Sequence, residues 1–111
     1  MSGTSPEVLD RLYATILARR GAAPDSSYTA KLFAKGPARI AKKLGEEGVE
    51  AAIAGALGDP KALAEESADL LYHLLVLWAE LGVRPADVYG ILSAREGRSG
   101  LDEKRARAPR E

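Results

Sequence analysis

Cysteine is absent from the 111-residue chain, which excludes disulfides, thiolate metal sites and cysteine nucleophiles together. Histidine occurs once, as His73, so oxygen ligands would have to dominate any metal site. Neither sign of charge predominates: sixteen basic residues balance sixteen acidic ones, and no global field draws the chain toward nucleic acid or an anionic membrane. Long apolar runs are missing as well. The longest, LLYHLLVLWA, is about half of what a bilayer crossing needs. The N-terminal stretch MSGTSPEVLDRLYATILARRG lacks the basic, apolar, small-residue order of a signal peptide. Neither strand-like alternation nor an internal repeat is evident. These absences lead to the expectation of one soluble, cytoplasmic domain with a single core, and with no nucleic-acid or membrane partner.

What is present reads as helix. Ser5-Pro6 has the pattern of an N-cap with proline in the first turn, and Val8, Leu9, Leu12, Ile16 and Leu17 keep helical spacing as far as Gly21. A turn, AAPDSS, precedes a second segment that starts near Ser27, breaks at Gly36-Pro37 and resumes to Gly58. Asp59 and Pro60 cap and open a third helix that runs to about Leu81, and a short fourth follows Pro85. The predicted fold is all-α, a small bundle of four main helices. It forms one domain over residues 1–95, followed by a charged, mobile tail over 96–111. On the third helix Leu70, Leu71, Leu74, Leu75, Leu77 and Trp78 cover nearly the whole circumference. Such a helix needs neighbours on every side, which predicts a homodimer or larger assembly.

Acidic residues recur inside this apolar helical pattern, where they do not belong without partners. At about 100° per residue, Glu46 and Glu50 share a stripe with Ile53 and Leu57, and Glu47 lies about 60° from Glu50. Glu66 and Asp69 share a sector with Ala62, His73, Val76 and Leu77. Both faces are expected to be buried. The short connection Gly58-Asp59-Pro60 makes the two helices antiparallel neighbours. Glu47 and Glu50 stand eight to eleven residues before Gly58, and Glu66 and Asp69 six to nine after Pro60. The four carboxylates should therefore meet at one level. Their mutual repulsion calls for protons, basic side chains or a cation. A solvated acidic face, with a pair such as Lys43 to Glu47, is the simpler reading. Apolar stripes on both helices favour a hard cation, Mg²⁺ or Mn²⁺. A ferritin-like di-iron site would ask for Glu-x-x-His, and this chain offers Glu66-x-x-Asp69.

Glu46-Glu47-Gly48-Val49-Glu50 followed by Glu66-Ser67-Ala68-Asp69 resembles the E-E-x-x-E and E-x-x-D hallmark of the MazG-like all-α nucleoside triphosphate pyrophosphohydrolases. SYTAKLFAKGPARIAKKLGEEGVE, EESADLLYHLLVL and REGRSGLDEKRAR narrow the resemblance, from about Leu9 to Arg107, to the phosphoribosyl-ATP pyrophosphatase branch of histidine biosynthesis. The resemblance implies Mg²⁺-dependent hydrolysis of a phosphoribosylated ATP to its AMP counterpart and pyrophosphate. By position, Glu47, Glu50, Glu66 and Asp69 would be the Mg²⁺ ligands. Glu46, Glu47 and Glu50 would be catalytic, Glu46 as a supporting acceptor or water-orienting base. Metal would bridge triphosphate oxygens and acidify the attacking water, whose proton a neighbouring carboxylate takes.

A substrate with several phosphates also needs cations. Lys43, near the Glu47/Glu50 sector, is the first choice; Lys35, Arg39 and Arg98 are further phosphate-binding candidates. His73 reads as a hydrogen-bonded core residue, and Tyr28 and Tyr72 as packing residues rather than adenine platforms. Gly48 and Gly55 interrupt a helix at some cost, as if to admit a close neighbour. Two alternatives stand beside the main reading: a pyrophosphohydrolase of dUTP, dCTP or damaged nucleotides, and a non-enzymatic helical oligomerisation module. A chain of this length leaves no room for a fused cyclohydrolase domain, so the next pathway step is expected from another protein.

Overall fold

A computed structural model describes residues 4–98, together with 100 and 105. Its α-helices are α1 (Val8–Ala18), α2 (Tyr28–Lys35), α3 (Pro37–Ala56), α4 (Pro60–Leu81) and α5 (Pro85–Arg95), with a 3-10 turn at Pro24–Ser26. The all-α expectation holds. The count differs from the expected four because Gly36, at φ 91°, with Pro37 behind it, splits the second segment into two helices. The first helix also starts later than Ser5-Pro6 suggests. The Ser5 hydroxyl turns to the Glu7 carboxylate instead of a backbone N–H, and Ser5–Glu7 forms a turn whose Ser5 carbonyl accepts from Val8 N–H at 2.9 Å. The expected tail over 96–111 lies largely outside the described residues.

The dominant packing is the antiparallel hairpin of α3 and α4. Its turn is fixed locally. Gly58 takes the left-handed conformation (φ 72°), and the Asp59 carboxylate accepts from Ala62 N–H at 3.1 Å, capping α4 with Pro60 in its first turn. At the other end Gly82 (φ 76°) closes α4, with Val83 N–H donating to the Trp78 carbonyl at 2.9 Å. The core lies toward this second end. Ile16 of α1, Leu32 of α2, Ile40 of α3 and Leu75, Val76 and Ala79 of α4 are buried together, with Tyr13, Phe33, Tyr72 and Trp78 packed around them. Two anchors tie α1 to the end of α4: Tyr13 donates to the Val83 carbonyl at 2.8 Å and Arg20 to the Ala79 carbonyl at 3.2 Å.

Toward the turn, among the described residues, the hairpin packs mainly on itself. Ala51 and Ala54 are buried, but Val49, Ile53 and Leu57 on α3 and Leu63 and Leu71 on α4 are exposed, Leu57 by 79%. The expectation that the stripe of Glu46, Glu50, Ile53 and Leu57 is buried is therefore not met within one chain. Among the described residues no helix covers that side of α3. The two helix glycines are not steric necessities either. A Cβ at Gly55 would meet nothing within 4 Å, and one at Gly48 would touch the Leu70 side chain at an ordinary 3.9 Å.

Candidate metal centre

The carboxylates sit between the packed end of the hairpin and its open end. Glu47 on α3 and Glu66 and Asp69 on α4 each offer an oxygen, and these atoms lie within 4.8 Å of one another. The antiparallel register matches their levels, and the three-residue spacing of Glu66 and Asp69 puts both on the face toward α3. Glu47 and Glu66 are half-buried and Asp69 is exposed. One oxygen of Glu47 and one of Glu66 are sealed from solvent with no hydrogen-bond partner. Buried acceptors are rarely left so, and such a pair beside a third carboxylate fits a hard cation bound through oxygen.

Glu50 stands outside this group of three but presses on it. Desolvation raises the Glu66 carboxyl above its ordinary value most strongly, followed by its hydrogen bond with Glu50 and the charges of Glu50, Asp69 and Glu47. Glu46 faces away, toward Lys43, whose Nζ lies 3.5 Å from its Oε1. The simple ion pair of this helix is thus Lys43 with Glu46 and not with Glu47. The Lys43 ammonium is held above its ordinary pKa by the Tyr28 hydroxyl first, then by Glu46, with Glu47 contributing. Lys43 therefore stands at the rim of the cluster, one turn before Glu47. Lys35, ending α2, and Arg39, one turn before Lys43, are exposed at the α2–α3 junction. Arg98 follows α5, its backbone N–H donating to the Arg95 carbonyl at 3.1 Å.

One group of residues around the site was not foreseen as a unit. His73, one turn after Asp69, is buried (5% exposed), and its Nδ1 lies 2.8 Å from the Asp69 carbonyl. That carbonyl can only accept, so Nδ1 carries the proton and Nε2 accepts from the Tyr28 hydroxyl 3.2 Å away. His73 is the hydrogen-bonded core residue expected of it. Tyr28 packs against Tyr72 and His73 as expected, but half of it (51%) stays exposed. The sequence signal was the Ser27 cap, whose hydroxyl accepts from Ala30 N–H at 3.0 Å and fixes Tyr28 as the first residue of α2.

Fold and centre together define an all-α protein whose helical hairpin presents a carboxylate site suited to a hard divalent cation. Within that class the chain belongs to the phosphoribosyl-ATP pyrophosphohydrolase family, whose model matches residues 9–96. It is 61% identical to the phosphoribosyl-ATP pyrophosphatase of Azospirillum brasilense over 103 residues, 93% of either chain. Similar relatives of the same name occur in Parvibaculum lavamentivorans (60% over 102 residues, covering 92% of this chain and 94% of the relative) and Paramagnetospirillum magneticum (54% over 102 residues, with the same coverage).

Proposed function

We propose that this chain hydrolyses 1-(5-phospho-β-D-ribosyl)-ATP to the corresponding AMP derivative and pyrophosphate, a step of histidine biosynthesis, in the cytoplasm and with Mg²⁺ (or Mn²⁺ in its place). The observation that carries the reading is the convergence of Glu47, Glu66 and Asp69, two of them with orphaned buried oxygens, in a member of this family. These three residues would hold the cation. Bound there, Mg²⁺ supplies neutralisation of triphosphate charge and acidification of a neighbouring water. Glu50, hydrogen-bonded to Glu66 and outside the group of three, takes the proton of the attacking water. Glu46 holds Lys43 at the rim, where its ammonium meets the phosphates. Lys35, Arg39 and Arg98 add positive charge for a polyanionic substrate. No helix among the described residues is long and apolar enough to cross a membrane.

The functional unit in this reading is a homodimer. The exposed leucines and isoleucine toward the open end of α3 and α4 are apolar surface that a second copy would cover. The activity test is pyrophosphate release from phosphoribosyl-ATP, with dUTP and dCTP in parallel. Release from phosphoribosyl-ATP that requires Mg²⁺ and stops with EDTA is the expected result. Preference for dUTP or dCTP would refute the substrate. No release from any nucleotide would leave the helical oligomerisation module standing.

A further inference from the structure

The metal centre accounts for the triphosphate end of a nucleotide and leaves its base without a seat. Along the hairpin two neighbouring levels are available. Toward the turn, an open groove of about 280 Å³ runs from Glu50 and Glu66 past Ile53 and Leu57, on the face assigned above to a second copy. Toward the core, one helical turn or about 5 Å from the carboxylates, stand Lys43 on α3 and His73 on α4, with Tyr28 across them.

Tyr28 has the features of a binding surface as well as of packing. Half of it is exposed, yet the ring is held on two sides. One face leans on Tyr72, with centroids 6.2 Å apart and planes 26° apart. Its edge meets the buried His73 ring at 82°, and its hydroxyl is fixed by His73 Nε2. Tyr72 is itself braced, by His73 at 84° and by the Thr29 hydroxyl. An exposed aromatic ring that is already immobilised loses little freedom when a second flat ring stacks on it. Lys43, one turn before Glu47 and 3.5 Å from Glu46, puts a phosphate-attracting charge at this level of the hairpin.

We infer that Tyr28 is the stacking platform for the purine ring of the nucleotide, with Tyr72 as its backing and Lys43 steering the phosphate next to the base. This rests on the proposed nucleotide hydrolysis and adds the residue that recognises the base. Stacking asks only for an aromatic face, so the hydroxyl positions the ring and the ring makes the contact.

The test uses the full-length protein with AMP and ribose 5-phosphate as probes. In the unmodified protein, AMP should shift the ring resonances of Tyr28 and Tyr72, and ribose 5-phosphate should not. Tyr28→Leu should weaken AMP binding by about tenfold or more while ribose 5-phosphate binds as before. Tyr28→Phe and Tyr28→Trp should retain most of the AMP affinity. With phosphoribosyl-ATP the loss in Tyr28→Leu should fall on KM more than on kcat. Equal weakening of both probes, or shifts confined to the Ile53 and Leu57 methyls, would overturn the inference. Pyrophosphate release by the unmodified protein decides the underlying reaction separately, so failure of one is distinguishable from failure of the other.

Discussion

Divalent metal should stabilise this fold, and Glu66 should be the residue through which it does so. Its carboxyl is raised by desolvation and by Glu50, Asp69 and Glu47 around it, so the folded chain keeps this proton to higher pH than the unfolded chain does. The sign follows from linkage: metal-free stability falls as pH rises through the folded pKa, and the loss is complete above it. Mg²⁺ removes the cause by offsetting the carboxylate charge. At a free concentration a hundred times Kd, binding to the native state alone adds about 2.7 kcal/mol. For a chain of 111 residues that corresponds to roughly 10 °C in Tm. Glu66→Gln keeps the shape and deletes the charge. Without metal it should melt no lower than the unmodified protein at pH 7, should lose the decline between acidic and neutral pH, and should gain far less from Mg²⁺. Thermal melts of both proteins across pH, with Mg²⁺ or EDTA, read all three effects. An undiminished Mg²⁺ response in Glu66→Gln would refute the assignment of the centre.

Glu50→Gln should lower kcat/KM for phosphoribosyl-ATP by about a hundredfold or more, ~2.7 kcal/mol of transition-state stabilisation. Glu65→Gln, which removes only an exposed ion pair with Lys61 (2.7 Å), should change it little. Leu57→Asp, at the most exposed large apolar side chain, which caps the C-terminus of α3, should shift the protein to monomer in light scattering while helical circular dichroism is kept; an unchanged mass would remove the second copy from this face. Gly55→Ala, where a Cβ meets nothing in the chain, should raise stability by up to about 1 kcal/mol in denaturant melts. A loss there would mean that a partner packs against Gly55.

Local backbone chemistry was the most legible part of the fold. Asp59-Pro60 and Gly82 bound α4 as their residue types dictate, because cap and left-handed turn depend on neighbours within a few positions. Convergence of Glu47 with Glu66 and Asp69 followed from helical period and a short turn, two regularities that together set the register. Ser5 misled because a hydroxyl can donate as well as accept, and here it donates to the Glu7 carboxylate instead of capping a backbone N–H. Burial of Ile53 and Leu57 was misjudged for a different reason. An apolar stripe shows that a face needs cover and does not say whether the cover comes from the same chain. The contact of Tyr28 with His73 spans 45 positions and carries no periodic signature, so the sequence does not show that the packed ring also stays half exposed.

The α3–α4 hairpin is divided along its length by what each level must do. At the core end, Ile40, Leu75, Val76 and Ala79 are buried against α1 and α2, and this packing fixes the axial register of the two helices. The next level holds Lys43, His73 and Tyr28, and the one after it the carboxylates. Favourable contacts between those acids could not set that register, since Glu47 and Glu66 keep unpartnered buried oxygens and repel each other. The apolar level holds them together against their own charge, so the cost of assembling the cluster is met during folding and would not fall on ion binding. Local sequence logic and the fold part company at this level, with its orphaned oxygens, and toward the turn, where Ile53 and Leu57 stay exposed; these are the two levels of the hairpin proposed to meet something outside the chain.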